Sequence, residues 1–203
     1  MESHLKRQYF NDLAPRWDSL PGIADVPERI RAYVERSRHP APGRILDVGC
    51  GTGILLPHLI EVYPDVRLIV EMDYAEGMLI ENARKLRDSR VLHLRTDATL
   101  TPFVVPTFDL VLCFCALPHF GDPAPVLKGL VRALHSGGVI TIGHLANSQA
   151  VNEFHGSLDA PVKSDRLAPA RELASLLEQS GATALVAEEE KDWFFVRGEK
   201  ASQ

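Results

Sequence analysis

The chain has little cysteine, little aromatic character, no excess of positive charge and no long hydrophobic run. It holds three cysteines, two tryptophans and four tyrosines in 203 residues, with aromatics at 7%. Three cysteines, at positions 50, 113 and 115, cannot build a disulfide framework, so reduced thiols in a cytoplasmic setting are expected. Lysine and arginine number 22 against 27 acidic residues, a formal charge of -5. A duplex-binding protein carries a basic stripe, so no nucleic-acid partner is expected. The longest mostly apolar stretch, 104–120, is interrupted by Pro106, Asp109, Pro118 and His119, which excludes a membrane-spanning helix there. Behind the charges of Met1-Glu2-Ser3-His4-Leu5-Lys6-Arg7 there is no apolar run, so neither a secretory signal nor a membrane partner is expected. What remains, 45% apolar and 24% charged, is the composition of a globular domain whose length buries roughly 70% of its unfolded surface.

Three zones follow one another. Residues 1–43 are polar and helix-patterned, with Tyr9, Phe10, Leu13 and Trp17 spaced for one face and Pro15 set to interrupt it. Residues 44–146 alternate strands and helices. Strands are expected at 44–48, 66–72, 91–95, 108–115 and 138–145, and helices up to 62, at 75–87 and at 123–134. Residues 147–203 begin with an irregular stretch (147–167), then a helix (168–180) stopped by Gly181 and two closing strands (183–188, 193–196). Alternating strands and helices imply right-handed crossovers and a parallel sheet. The expectation is a single α/β domain over 1–203: a helical lid (1–43), a ligand-binding core (44–146), and a substrate cover with closing strands (147–203).

The most informative segment is Ile45-Leu46-Asp47-Val48-Gly49-Cys50-Gly51-Thr52-Gly53, passing from a strand into a helix. Open parallel sheets bind ligands at the carboxyl ends of their strands, and glycines let the backbone approach closely. Asp73 ends the second strand, where a carboxylate can accept both ribose hydroxyls. Glu71, two residues earlier, is expected to point to the opposite face. Asp97-Ala98 follows the third strand, placed to meet an adenine edge. Ile54 stands where a dinucleotide fingerprint wants Gly or Ala, which disfavours a nucleotide-dependent oxidoreductase.

Four segments in order resemble the motifs of class I S-adenosylmethionine-dependent methyltransferases: Ile45 to Gly53; Asp73-Tyr74-Ala75-Glu76-Gly77-Met78-Leu79; Phe108 to Leu112 with Leu117-Pro118-His119-Phe120; and Leu134-His135-Ser136-Gly137-Gly138. The last departs from the family's Leu-Lys-Pro-Gly-Gly in two positions, and Ala75 replaces the usual capping serine. The resemblance spans 44–145. It implies a doubly wound, Rossmann-like, mostly parallel seven-stranded sheet with an antiparallel last strand. It also implies S-adenosylmethionine as cofactor and transfer of its methyl group to a small molecule. Asp47, Gly49, Cys50, Gly51, Gly53, Asp73, Tyr74, Met78, Asp97, Ala98 and Cys115 would then line the cofactor. Tyr9, Phe10, Arg16 and Trp17 resemble the opening of small-molecule methyltransferases, so Tyr9, Arg16 and Trp17, with Asn152, are expected in a substrate lid.

Methyl transfer to an activated sulfonium carbon needs alignment, exclusion of water and, for some nucleophiles, removal of a proton. His119, just past the fourth strand, and His144 and His155 further on are the candidate catalytic groups. Three imidazoles could instead take a metal or metalloid ion, provided that they converge. A non-catalytic cofactor-binding partner is the alternative outside enzymes, and the histidines at the rim argue against it. A nucleic-acid methyltransferase that flips a base would carry an Asn or Asp followed by Pro-Pro-aromatic after the fourth strand, and 113–120 lacks it.

Overall fold

The computed structural model describes residues 2–20, 27–100 and 102–201. Residues 21–26 of the expected lid therefore lie outside the described residues. Seven helices and seven strands are described: α1 (Glu2–Leu13), α2 (Pro27–Arg36), β1 (Arg44–Val48), α3 (Leu56–Val62), β2 (Leu68–Asp73), α4 (Glu76–Lys85), β3 (Val91–Arg95), β4 (Phe108–Phe114), α5 (Pro123–Ala133), β5 (Leu134–His144), α6 (Ser148–Ser157), α7 (Ala170–Gln179), β6 (Ala182–Glu190) and β7 (Trp193–Lys200). The strands form one sheet in the order β3-β2-β1-β4-β5-β7-β6. β7 runs antiparallel to both β5 and β6, and the other pairings are parallel. Among the described residues no helix is long and apolar enough to cross a membrane.

Both faces of the central strands are covered, so β1 and β4 are almost wholly buried. Side chains alternate with period two and divide the core in two. Ile45, Ile69, Leu110, Leu112 and Phe114 meet α2 and α3 through Tyr33, Leu56 and Leu59. Leu46, Val70, Met72, Val111, Ile140 and Ile142 meet α5 and α7 through Leu127, Leu130, Leu173 and Leu177. Strand order reverses between β1 and β4, which opens a crevice at their carboxyl ends.

Two departures from the sequence reading stand out. The stretch from 147, expected to be irregular, contains α6, capped by Asn147, whose side chain accepts from the Ala150 N–H at 2.8 Å. Its exposed face carries Phe154, so the apolar periodicity that announces a helix is weak there. β5 begins at Leu134 rather than 138, because Leu134 already pairs with Phe108 before the register shifts to Leu110–Val139. His135, one of the two departures from the family turn, hydrogen-bonds through Nδ1 to Asp109 at 3.0 Å. The other Asp109 oxygen accepts the Gly43 and Arg44 N–H groups. Pro15 acts as expected: α1 stops at Leu13 and a 3-10 turn runs over 14–19.

Candidate active site

A cavity of about 300 Å³ lies in the crevice. Gly49, Gly51 and Asp73 form its floor, Met78 and Asp97 to Thr99 one wall, and Cys115, Ala116 and His119 to Gly121 the other; Lys6, Phe10 and Trp17 cover it. Gly49 and Gly51 both have positive φ, +69° and +54°, a backbone region that glycine enters without steric cost. A Cβ at Gly49 would lie 2.5 Å from that of Ala116, whereas one at Gly51 would meet nothing within 4 Å. Gly49 thus lets two segments touch, and Gly51 leaves the floor open to a ligand.

Asp73 is 9% exposed. Its Oδ2 accepts the Gly51 N–H at 3.0 Å and its Oδ1 the Ala75 N–H at 2.8 Å. Ala75 at the N-cap of α4 is fully buried and has no side-chain oxygen to cap the helix, and the Gly77 N–H that such a cap would take is accepted by Asn11 of α1 instead. Burial raises the Asp73 carboxyl above the ordinary range, opposed by those backbone donors.

Glu71 does not point away from Asp73. Residues two apart on a strand share a face, and Glu71 turns inward beneath the glycine turn, wholly buried beside Asp47, its partner across β1 and β2. Asn82 of α4 donates to Glu71 Oε2 at 2.7 Å. Asp47 Oδ2 and Glu71 Oε1 have no hydrogen-bond partner. Burial, reinforced by mutual repulsion, holds Asp47 well above the usual carboxylate range, and burial moves Glu71 up to about 7. Cys50, against this acid cluster, is likewise pushed up by burial. Asp47, Cys50 and Gly53 lie outside the cavity lining, which takes in Gly49, Gly51, Asp73, Tyr74, Met78, Asp97, Ala98 and Cys115. Cys115 follows β4 with φ +53° and is exposed on the cavity wall.

The lid segment packs as an aromatic cluster over the cavity. Phe10 is in edge contact with Tyr9, Trp17 and His119, at ring distances of 5.3, 5.8 and 4.9 Å. Asn11 accepts the Gly77 N–H at 2.8 Å, and Thr52 donates to Asp18 at 2.6 Å, tying the segment to α4 and to the glycine turn. Arg16 is exposed.

The three candidate histidines gather at one end of the cavity, but only His119 lines it. His119 Nδ1 lies 2.7 Å from Asp165 Oδ2, and its ring is 5.0 Å from that of His155. His155 Nδ1 bonds to the Asp165 carbonyl at 3.2 Å. His144 is buried and its Nε2 has no partner. Burial drives its imidazole down to about 3, so it is neutral. Among the described residues no group of three or more His, Cys, Asp or Glu side chains could hold a metal ion. The structure thus does not bring His119, His144 and His155 together as an ion site. Asn152, expected in the lid, gives both its polar atoms to the Leu167 backbone, at 3.0 and 2.7 Å.

Asp165, which sequence reasoning missed, is 3% exposed and also accepts from Lys6 Nζ. Burial would raise its carboxyl, but His119 and Lys6 outweigh burial and hold it below the ordinary range. An aspartate in a loop 46 residues from its histidine leaves no spacing signal. The only hint was Asn152 and His155 at i, i+3 on one helix.

The fold is that of Rossmann-like methyltransferases. It matches a solved S-adenosylmethionine-dependent methyltransferase of Thermotoga maritima, described as a possible histamine N-methyltransferase. That likeness has TM-score 0.70 at 20% identity and covers 97% of this chain and 99% of that one. Residues 46–142, just under half of the chain, match the family model of the methyltransferase domain, which supports a class I S-adenosylmethionine-dependent methyltransferase. It is 36% identical over 139 residues to a demethylmenaquinone methyltransferase of Thermus thermophilus, covering 66% of this chain and 62% of that protein. It is 35% identical over 130 residues to a trans-aconitate 2-methyltransferase of Acidovorax ebreus, covering 62% and 48%. The chain thus spans less than two thirds of the length of these curated relatives. The family match displaces the oxidoreductase alternative.

Proposed function

We propose that the protein transfers the methyl group of S-adenosylmethionine to a small-molecule acceptor held beneath α1. The observation that carries this reading is that the Asp73 carboxylate, the open Gly51 turn and the His119 imidazole all face one cavity. Bound there, the cofactor supplies an electrophilic methyl group on a sulfonium sulfur. Asp73 would accept the ribose hydroxyls, Asp97 the adenine amine, and the turn from Gly49 to Gly53 would hold the methionine part. The Tyr74 hydroxyl is buried without a hydrogen-bond partner on the same wall, which suits a polar ligand. Phe10 and Trp17 exclude water, and His119 meets the acceptor. The lid and the sheet act as one unit, because both line this chamber, and the segment beyond β5 joins them through Asp165, which bonds to Lys6 and His119. The chamber is small and covered, which favours a compact acceptor over a protein or duplex. The two curated relatives described above are named for non-macromolecular acceptors, demethylmenaquinone and trans-aconitate.

Calorimetric titration with S-adenosylmethionine, S-adenosylhomocysteine and NAD tests the reading. The first two are expected to bind and the third not; binding of NAD alone would overturn it. His119→Ala is expected to leave S-adenosylhomocysteine affinity within about twofold and to lower turnover on the order of a hundredfold, the scale of a lost proton-transfer group. Unchanged turnover would assign His119 to packing alone.

A further inference from the structure

We propose that Asp165 is a positioning residue that holds His119 as a base for an acceptor that must lose a proton: a phenol, an enol, a thiol or an amine rather than a carboxylate. The inference rests on the methyl-transfer reading and deepens it. The Asp165 carboxylate is buried between two donors, Lys6 Nζ on Oδ1 and His119 Nδ1 on Oδ2. An ionised carboxylate only accepts hydrogen bonds, so the Nδ1 it meets must carry a proton. In neutral His119 the second nitrogen, Nε2, is then bare of a proton, and its one ring hydrogen bond among the described residues is that of Nδ1. The ring that bears it lines the cavity and is fixed on its flanks by Phe10 and His155.

The aspartate is itself placed with care. Asn152 pins the Leu167 backbone through two hydrogen bonds, and His155 bonds the Asp165 carbonyl. Glu189 accepts from the Ser148 N–H at 2.7 Å and the Ala170 N–H at 3.0 Å, so one carboxylate joins the starts of α6 and α7 on either side of this loop. A carboxylate fixed this firmly behind a histidine sets its tautomer and stabilises the imidazolium formed when it takes a proton.

In the transfer, the acceptor's O–H, N–H or S–H bond breaks and its proton passes to His119 Nε2. The freed electron pair forms the new bond to the methyl carbon. The carbon–sulfur bond breaks with its pair returning to sulfur, which leaves S-adenosylhomocysteine neutral at sulfur and His119 as imidazolium paired with Asp165. A carboxylate acceptor arrives already ionised and needs none of this.

The test reads the tautomer by long-range proton–nitrogen correlation NMR on the ring of His119. The sample is the full chain saturated with S-adenosylhomocysteine, in alkaline buffer where a free imidazole is neutral. Wild type is expected to show Nδ1–H with bare Nε2. Asp165→Asn is expected to reverse the pattern. Lys6 can only donate, so it takes the amide oxygen; the amide NH₂ then faces Nδ1 and drives the proton to Nε2. The Nδ1–H signature should be lost. An Nε2–H tautomer in wild type, or Nδ1–H retained in Asp165→Asn, would overturn the proposal. Should the variant not fold, the wild-type spectrum alone still decides. A screen in which carboxylates accept methyl and phenols, thiols and amines do not would also overturn it. Failure of S-adenosylhomocysteine to bind wild type would instead strike the methyl-transfer reading beneath it.

Discussion

Asp73→Ala is expected to weaken S-adenosylmethionine binding by two to three orders of magnitude, read as the dissociation constant in calorimetric titration. Charge-assisted hydrogen bonds contribute about 1.5–3 kcal/mol each, and a ribose diol offers two of them. Two such bonds sum to about 3–6 kcal/mol; the lower part of that range, about 3–4 kcal/mol, applies because water takes up part of the loss, and it converts to that loss of affinity. Part of the effect comes from the glycine turn, because Asp73 also receives the Gly51 and Ala75 N–H groups. Asp73→Asn separates the two contributions. Its amide oxygen can still accept one backbone donor, but its NH₂ cannot accept from a hydroxyl. The asparagine variant leaves one of the two backbone N–H groups facing its NH₂, so its melting temperature should fall, but less than that of Asp73→Ala, and it should still lose at least tenfold in affinity. If both variants bind with unchanged affinity, the ribose is held elsewhere.

Most of the sheet was legible because its signals are local. Residues 44–48 and 91–95 read as strands to the residue, since β-branched and leucine runs bounded by turn residues leave little choice. The seven-stranded sheet with its antiparallel last strand came from resemblance, and the strand order came only from the structure, because register and neighbour choice depend on contacts far apart in the chain. The cofactor side of the cavity was legible for the same local reason: Gly49, Gly51 and Asp73 lie in short motifs whose spacing fixes them on one rim. The acceptor side was only half legible. His119 stands next to a motif and could be found, but Asp165 sits in a turn between two helices, one of which had been read as irregular. Once Asn147 is seen as a cap, α6 places Asn152 and His155 on one side and the loop with Asp165 against them. Glu71 was misjudged by a different route. Motif matching favoured Asp73, and the period-two rule that puts both acids on one face was not applied.

That buried acid has a measurable consequence. Glu71 is fully enclosed, accepts from Asn82 on one oxygen, and faces Asp47 with the other unpartnered. Burial lifts it from 4.5 to about 7, and burial together with Glu71 lifts Asp47 in the same direction, so the folded protein holds protons that the unfolded chain has released. Between about pH 4.5 and 7 the native state thus binds more protons than the unfolded state. Stability therefore falls as pH rises through that window and levels off above it, by about 3 kcal/mol for Glu71. Glu71→Gln removes the titration and keeps the shape. Its amide oxygen can still accept from Asn82, and its NH₂ can donate to Asp47 Oδ2, which has no partner in the native structure. Urea unfolding at pH 5 and pH 8 should then show a clear loss of stability between the two for wild type and a much smaller one for Glu71→Gln, with the variant more stable at pH 8. Equal slopes in the two proteins would mean that the acids beneath the glycine turn are ionised in the native state. In that case Asp73 would sit above two negative charges, and cofactor affinity, not stability, would carry the pH dependence.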